Sequence, residues 1–114
     1  MNKTKLEKFE KMLSIISADF DRRVLDDPEF AADMPPRAYV LFQLKIQGLS
    51  GSNAEEVGEF NAWLKDLAKR QREPGQPLYL ATLNVFKSVP PSVDWHLLDR
   101  YPRDFRLVSA GGRT

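Results

Sequence analysis

Between Tyr39 and Phe86 the hydrophobic period changes twice, and this restricts the possible folds more than any other feature of the chain. Tyr39-Val40-Leu41-Phe42 is apolar without a break, after which Phe42, Leu44 and Ile46 alternate with Gln43, Lys45 and Gln47. A period of two marks a strand, here Ala38 to Ile46, whose later half has one solvated face. Val57, Phe60, Leu64 and Leu67 then recur at steps of three and four, flanked by Trp63 and Ala68. That spacing marks an amphipathic helix. From Leu78 to Phe86 the period returns to two, with Tyr79, Ala81, Leu83 and Val85 on one face. Strand, helix and strand in succession predict a βαβ unit with parallel strands and a right-handed crossover.

The flanking segments complete an α/β reading. Leu6, Phe9, Leu13, Ile16 and Phe20, widened by Met12 and Ile15, predict a long N-terminal helix ending near Leu25. Thr4 and Glu7 have capping-box spacing at its start. Asp27 as cap and Pro28 as first residue predict a one-turn helix, anchored to the core by Phe30 and stopped by Pro35-Pro36. Ser52 with Glu55, or Asn53 with Glu56, caps the second helix, which Pro74-Gly75 ends. Phe105 to Ser109 read either as a third strand or as an ordered tail. The expected fold is therefore a small sheet around the βαβ unit with the N-terminal helix packed on it. Residues 1–110 form one domain in this reading, and 111–114 a frayed end.

Composition removes several functions. The chain of 114 residues holds no cysteine and one histidine, His96. Disulfides, thiolate metal sites, cysteine nucleophiles and two-histidine metal motifs are thereby excluded. Seventeen bases against sixteen acids leave a net charge of +1, too small to draw the protein onto nucleic acid or an anionic membrane. The N-terminus has no apolar core of a secretory signal, and the longest apolar run, Ala38 to Phe42, is far short of the roughly 20 residues that span a bilayer. A cytoplasmic, non-membrane protein is expected.

Particular residues also carry a resemblance. The first helix ends in Leu25-Asp26-Asp27-Pro28-Glu29-Phe30, followed by Met34-Pro35 and a strand with Ala38, Val40 and Phe42. A helix with Asn61, Leu64 and Ala68 comes next, then a second strand after Gly75 and Pro77. In this order the chain resembles a small prokaryotic family known only as a domain of unknown function. The resemblance covers about residues 5–86, and the Asp-Pro-Glu-Phe and Met-Pro pair is its most specific part. It implies the element order and a prokaryotic origin, and no activity or site residues. The chain departs from the family at Gly48–Ser52, where the family has more acidic linkers, and in its C-terminal extension.

Five groups of residues invite a functional reading. Gly48, Ser50, Gly51, Ser52 and Asn53 follow a strand and precede a helix N-terminus, where free N–H groups and the helix dipole favour a small anion or phosphate. The loop matches neither G-x-G-x-x-G nor a P-loop, so a capped connection is the plainer reading. His96 lies between Asp94 and Asp99 near Ser92, which fits a short capped turn better than a catalytic pair. Asp26, Asp27, Glu29 and Asp33 lack calcium-loop spacing. No catalytic residue, metal or cofactor is expected.

Arg100, Tyr101, Arg103 and Arg106 mix guanidinium and aromatic groups in the most basic third of the chain. Asp99 and Asp104 offset them, so nucleic-acid binding there is weak and salt-sensitive. Trp63, Trp95, Tyr101 and Phe105 are the side-chain types that enrich interfaces, and a two- or three-stranded sheet leaves an edge to be covered. Sequence therefore favours a non-enzymatic interaction module, pairing with a second copy or with another protein. A nucleic-acid accessory protein and a phosphate-ligand binder are the alternatives.

Overall fold

A computed structural model describes residues 2–49, 51–86 and 102–110. The chain divides into two compact units, Met1–Asp33 and Met34–Thr114. The first is helix α1, Lys3–Asp26, and the turns after it. Its cap is Asn2, whose side chain accepts from the Lys5 N–H at 2.8 Å, so the capping box at Thr4 is not used. Asn2 lies one residue before the first helical one, where an oxygen can reach the third helical N–H. Phe9, Met12, Ile16 and Phe20 are the buried stripe of α1, while Leu6 stays exposed at 37%.

The one-turn helix expected at Pro28 is absent. Asp27 is instead the C-cap of α1, its N–H donating to Arg23 O at 2.9 Å. Two i, i+3 turns follow, Phe30 N–H to Asp27 O at 3.0 Å and Ala32 N–H to Glu29 O at 3.3 Å. Phe30 sets its ring edge-on to Phe20 at 5.7 Å, under the Arg23 guanidinium at 4.4 Å, and Arg23 also pairs with Asp27 at 3.5 Å. Asp27 of the acidic cluster thus serves helix-end chemistry.

The second unit is built as β1 Tyr39–Ile46, α2 Gly51–Gln71, β2 Leu78–Val85 and β3 Arg103–Ala110. The strand order is β1-β2-β3, with β1 parallel to β2 and β3 antiparallel to β2. Residues 103–110 are thus a strand, three residues longer than the apolar stretch alone suggested. Helix α2 starts at Gly51, which leaves Ser52 and Asn53 inside the first turn rather than at the cap. The expected turn at 92–98 and the tail 111–114 lie outside the described residues.

Register divides the sheet into two unlike faces. Leu44, Ile46, Ala81, Leu83, Val85 and Phe105 share the buried face. The opposite face begins apolar, with Leu41 beside Leu80 and Val108, and becomes polar along the strands. There Gln43, Thr82 and Arg106 stand in one row, and Lys45, Asn84 and Asp104 in the next. Helix α2 packs on β1 and buries Val57, Phe60, Leu64 and Ala68, with Phe60 stacked on Trp63 at 6.2 Å.

Candidate functional site

The site is assembled where α2 meets the outer edge of β1. Tyr39 N–H donates to Pro77 O at 2.7 Å and Gln47 N–H to Val85 O at 2.9 Å, so odd-numbered residues of β1 turn their backbone toward β2. The alternation sends the groups of Val40, Phe42, Leu44 and Ile46 outward. Asn61 on α2 meets them: its side-chain oxygen accepts from Leu44 N–H at 2.9 Å and its amide donates to Leu44 O at 2.9 Å. One side-chain amide thus imitates the peptide group of a further strand. This edge, which sequence reading left open, is closed at its centre by the helix.

Because Asn61 sits at the edge, its helical neighbours fall on either side. Phe60 and Leu64 belong to the buried stripe, whereas Gly58, Lys65 and Lys69 border the exposed face. Two clefts result. One, about 600 Å³, is the more polar of the two: Gln43, Lys45, Thr82, Asn84 and Arg106 line it beside Leu44 and Ile46 on the sheet side, with Val57, Gly58 and Asn61 on the helix. The other, about 480 Å³, has Leu41, Leu78, Ala68 and Pro74 as its apolar lining, rimmed by Lys65, Lys69 and Arg72. Leu41 precedes Gln43 on one face of β1, and Asn61 precedes Lys65 by one helical turn, so the clefts lie end to end along the seam.

Thr82 Oγ1 donates to Gln43 Oε1 at 3.3 Å, which orients both across β1 and β2. A third cleft, about 740 Å³, lies at the start of β1 and is organised by Gln76, which donates to Arg37 O at 2.8 Å and accepts from Glu73 N–H at 3.0 Å. Arg72 Nε adds a bond to Gln76 O at 2.8 Å. Those bonds fasten the α2–β2 turn, where Gly75 takes φ 80°. Among the described residues no three His, Cys, Asp or Glu side chains converge as a metal site would require.

Tyr39, beside this third cleft, has a raised pKa. Partial burial disfavours the phenolate and lifts it above the ordinary 10.0. Its hydroxyl donates to Gln71 Oε1 at 3.3 Å. The neutral phenol is the form the fold prefers, so its contribution is whole below the ordinary value and is lost as pH rises through the folded one. An ultraviolet titration is expected to contain a phenol step above the ordinary range, and Tyr39→Phe to remove that step.

The residues singled out from sequence scatter. Gly48, Gly51 and Ser52 are exposed and Asn53 is half-buried, while Leu49 and Ala54 from the same stretch line the polar cleft. Gly48 in its turn and Gly51 at the start of α2 have φ of 76° and 63°, the left-handed region that favours glycine. Arg103 and Arg106 occupy opposite faces of β3, so the strand separates the two described arginines of the proposed nucleic-acid surface. Trp63 is half-buried against Phe60, and Phe105 is only 5% exposed. Ser50, Trp95, His96, Arg100 and Tyr101 lie outside the described residues.

Of the row Gln43, Thr82 and Arg106, sequence singles out Arg106 alone, as part of a nucleic-acid surface. For Gln43 and Thr82 the alternation of the strands is the only signal, and it reads as ordinary solvated face. No helix among the described residues is long and apolar enough to cross a membrane. No family model matches the chain, and neither the curated proteins nor the solved structures hold a match to it.

Proposed function

We propose that the chain is a cytoplasmic, non-enzymatic protein-interaction module that self-associates through the outer edge of β3. The observation that carries this reading is the alternation along that strand. Phe86 N–H donates to Pro102 O at 2.9 Å, so even-numbered residues of β3 turn their backbone to β2 and Arg103, Phe105, Leu107 and Ser109 turn theirs outward. Among the described residues β3 has a strand neighbour on one side only.

Two copies pairing antiparallel about Phe105 place each Asp104 opposite the other copy's Arg106, on the exposed face of a continuous six-stranded sheet. Shifting the two-fold axis by one residue, to Arg106, brings two guanidinium groups together instead. Exposed pairs of this kind contribute only about 0.2–1 kcal/mol each, so they select the register while the backbone ladder supplies the attraction. Sedimentation equilibrium is expected to give twice the chain mass of 13.1 kDa for the native protein. Arg106→Asp places acids opposite acids and is expected to give the single-chain mass. The exchange Asp104→Arg/Arg106→Asp restores opposite charges and is expected to restore the dimer. A native protein of single-chain mass overturns the reading.

A further inference from the structure

We infer that the seam between α2 and the exposed face of the sheet is a docking trough for an extended acidic segment of another protein, one in which acidic and aliphatic residues alternate. Three observations lead to that occupant. The first is charge: among the described residues the two clefts are lined by Lys65, Lys69, Arg72, Lys45 and Arg106 against one acid, Glu73. In a chain whose net charge is +1, that excess is local. Lys65 and Lys69 on α2, and Arg72 just past its end, follow one another at i, i+4 and i+7, so they form a rail above the apolar cleft.

The second observation is the floor. Leu41, Leu78 and Ala68 give one end an aliphatic lining that a leucine or valine side chain fills. The other end offers the Gln43 and Asn84 amides and the Thr82 hydroxyl, suited to the backbone and side-chain oxygens of a peptide. Among the described residues no aromatic side chain lines either cleft. Single-stranded nucleic acid is held largely by base stacking on aromatic rings, so the same cations without rings favour a polypeptide.

The third is length. The lining residues run from Ala54 to Pro74, just past the C-terminal end of α2, a seam of about 27–30 Å, which accommodates roughly eight residues of extended chain. Asn61 already occupies the outward groups of Leu44, so the segment lies in the trough by its side chains and does not add a strand to β1. In an extended segment successive side chains point to opposite sides, so alternation sends aliphatic groups to the floor and carboxylates to the rail. The trough shares Arg106 with the β3 edge, but its rail and floor lie on α2, β1 and β2, so the Lys65, Lys69 and Leu78 variants test it separately from dimerisation.

Fluorescence anisotropy with the full chain tests this. The probe is a labelled peptide of alternating glutamate and leucine, roughly eight residues long. A peptide with serine in place of leucine and an oligouridylate of similar charge serve as comparisons. The leucine peptide is expected to bind at least about tenfold more tightly than either, and several-fold less tightly when salt is raised from about 50 to 200 mM. Lys65→Glu with Lys69→Glu, both at exposed positions, is expected to weaken it by about tenfold or more while the circular dichroism stays native. Leu78→Ser is a second, independent test of the floor and is expected to remove the preference for leucine over serine. No binding of the leucine peptide, equal binding of the serine peptide, tighter binding of the oligouridylate, or an unaffected double variant each overturns the inference.

Discussion

Phe60→Ala is expected to destabilise the chain by about 3–5 kcal/mol, measured as a lower midpoint in urea denaturation at unchanged slope. Phe60 has no exposed surface, lies in the middle of the buried stripe of α2, and stacks on Trp63 at 6.2 Å. Truncation removes the ring from the core and leaves a cavity between elements that packing elsewhere holds apart. Domains of this size are stable by about 5–15 kcal/mol, so the loss is a large fraction of the whole. Val108→Ala, at a side chain 40% exposed, is the contrast and is expected to cost well under 1 kcal/mol. Equal effects at the two positions would mean that α2 is not a core element.

Asn61→Asp is expected to cost about 2–3 kcal/mol at neutral pH although it changes a single group. The substituted carboxylate still accepts from Leu44 N–H, but it faces Leu44 O where the amide now donates at 2.9 Å. The penalty belongs to the ionised form, so folding favours the protonated one and the variant carboxyl has a folded pKa above its unfolded value. Protonation, which the folded state therefore takes up above the ordinary carboxyl range, restores a donor. The difference between variant and native stability is therefore expected to shrink as pH falls and to grow as pH rises through the folded pKa. Asn61→Ala removes both bonds and is expected to cost about 1–3 kcal/mol with little pH dependence of that difference. A pH-independent penalty for the aspartate variant would contradict the edge contact.

Legibility in the sequence followed the range of the forces involved. Parallel pairing of β1 with β2 was readable because Gln43 and Lys45 break the apolar run on one face only, and because a single helical stripe separates two such runs. Helix ends were readable to within a residue or two. Asn2 and Thr4 both carry capping chemistry, and the choice falls on the one whose oxygen reaches Lys5 N–H. Asp27-Pro28 looks like a helix start, yet Asp27 is occupied as the end of α1 and the chain turns by i, i+3 bonds. Residues 103–110 were ambiguous because charged and apolar residues mix there, and their strand state depends on pairing with β2.

The candidate site was hardly legible at all. Asn61 reads as any polar residue beside a stripe; its role follows from where the helix lies relative to the edge of β1. The rail of Lys65, Lys69 and Arg72 reads as a solvated flank until Leu41 and Leu78 are placed beneath it. The seam joins residues as far apart in sequence as Gln43 and Arg106, and one-dimensional patterning carries no information about that distance. What the sequence did contain was the material: aliphatic at one end of the strands, amide and hydroxyl at the other.

Amide hydrogen exchange at Leu107 tests edge-to-edge association of β3 most directly. Its N–H points away from β2, and in the paired register it donates to the Arg103 carbonyl of a second copy. Protection that rises with protein concentration, while Arg106 and Val108 stay protected throughout by β2, is the expected result. Exchange at Leu107 at one rate over the whole concentration range would contradict it.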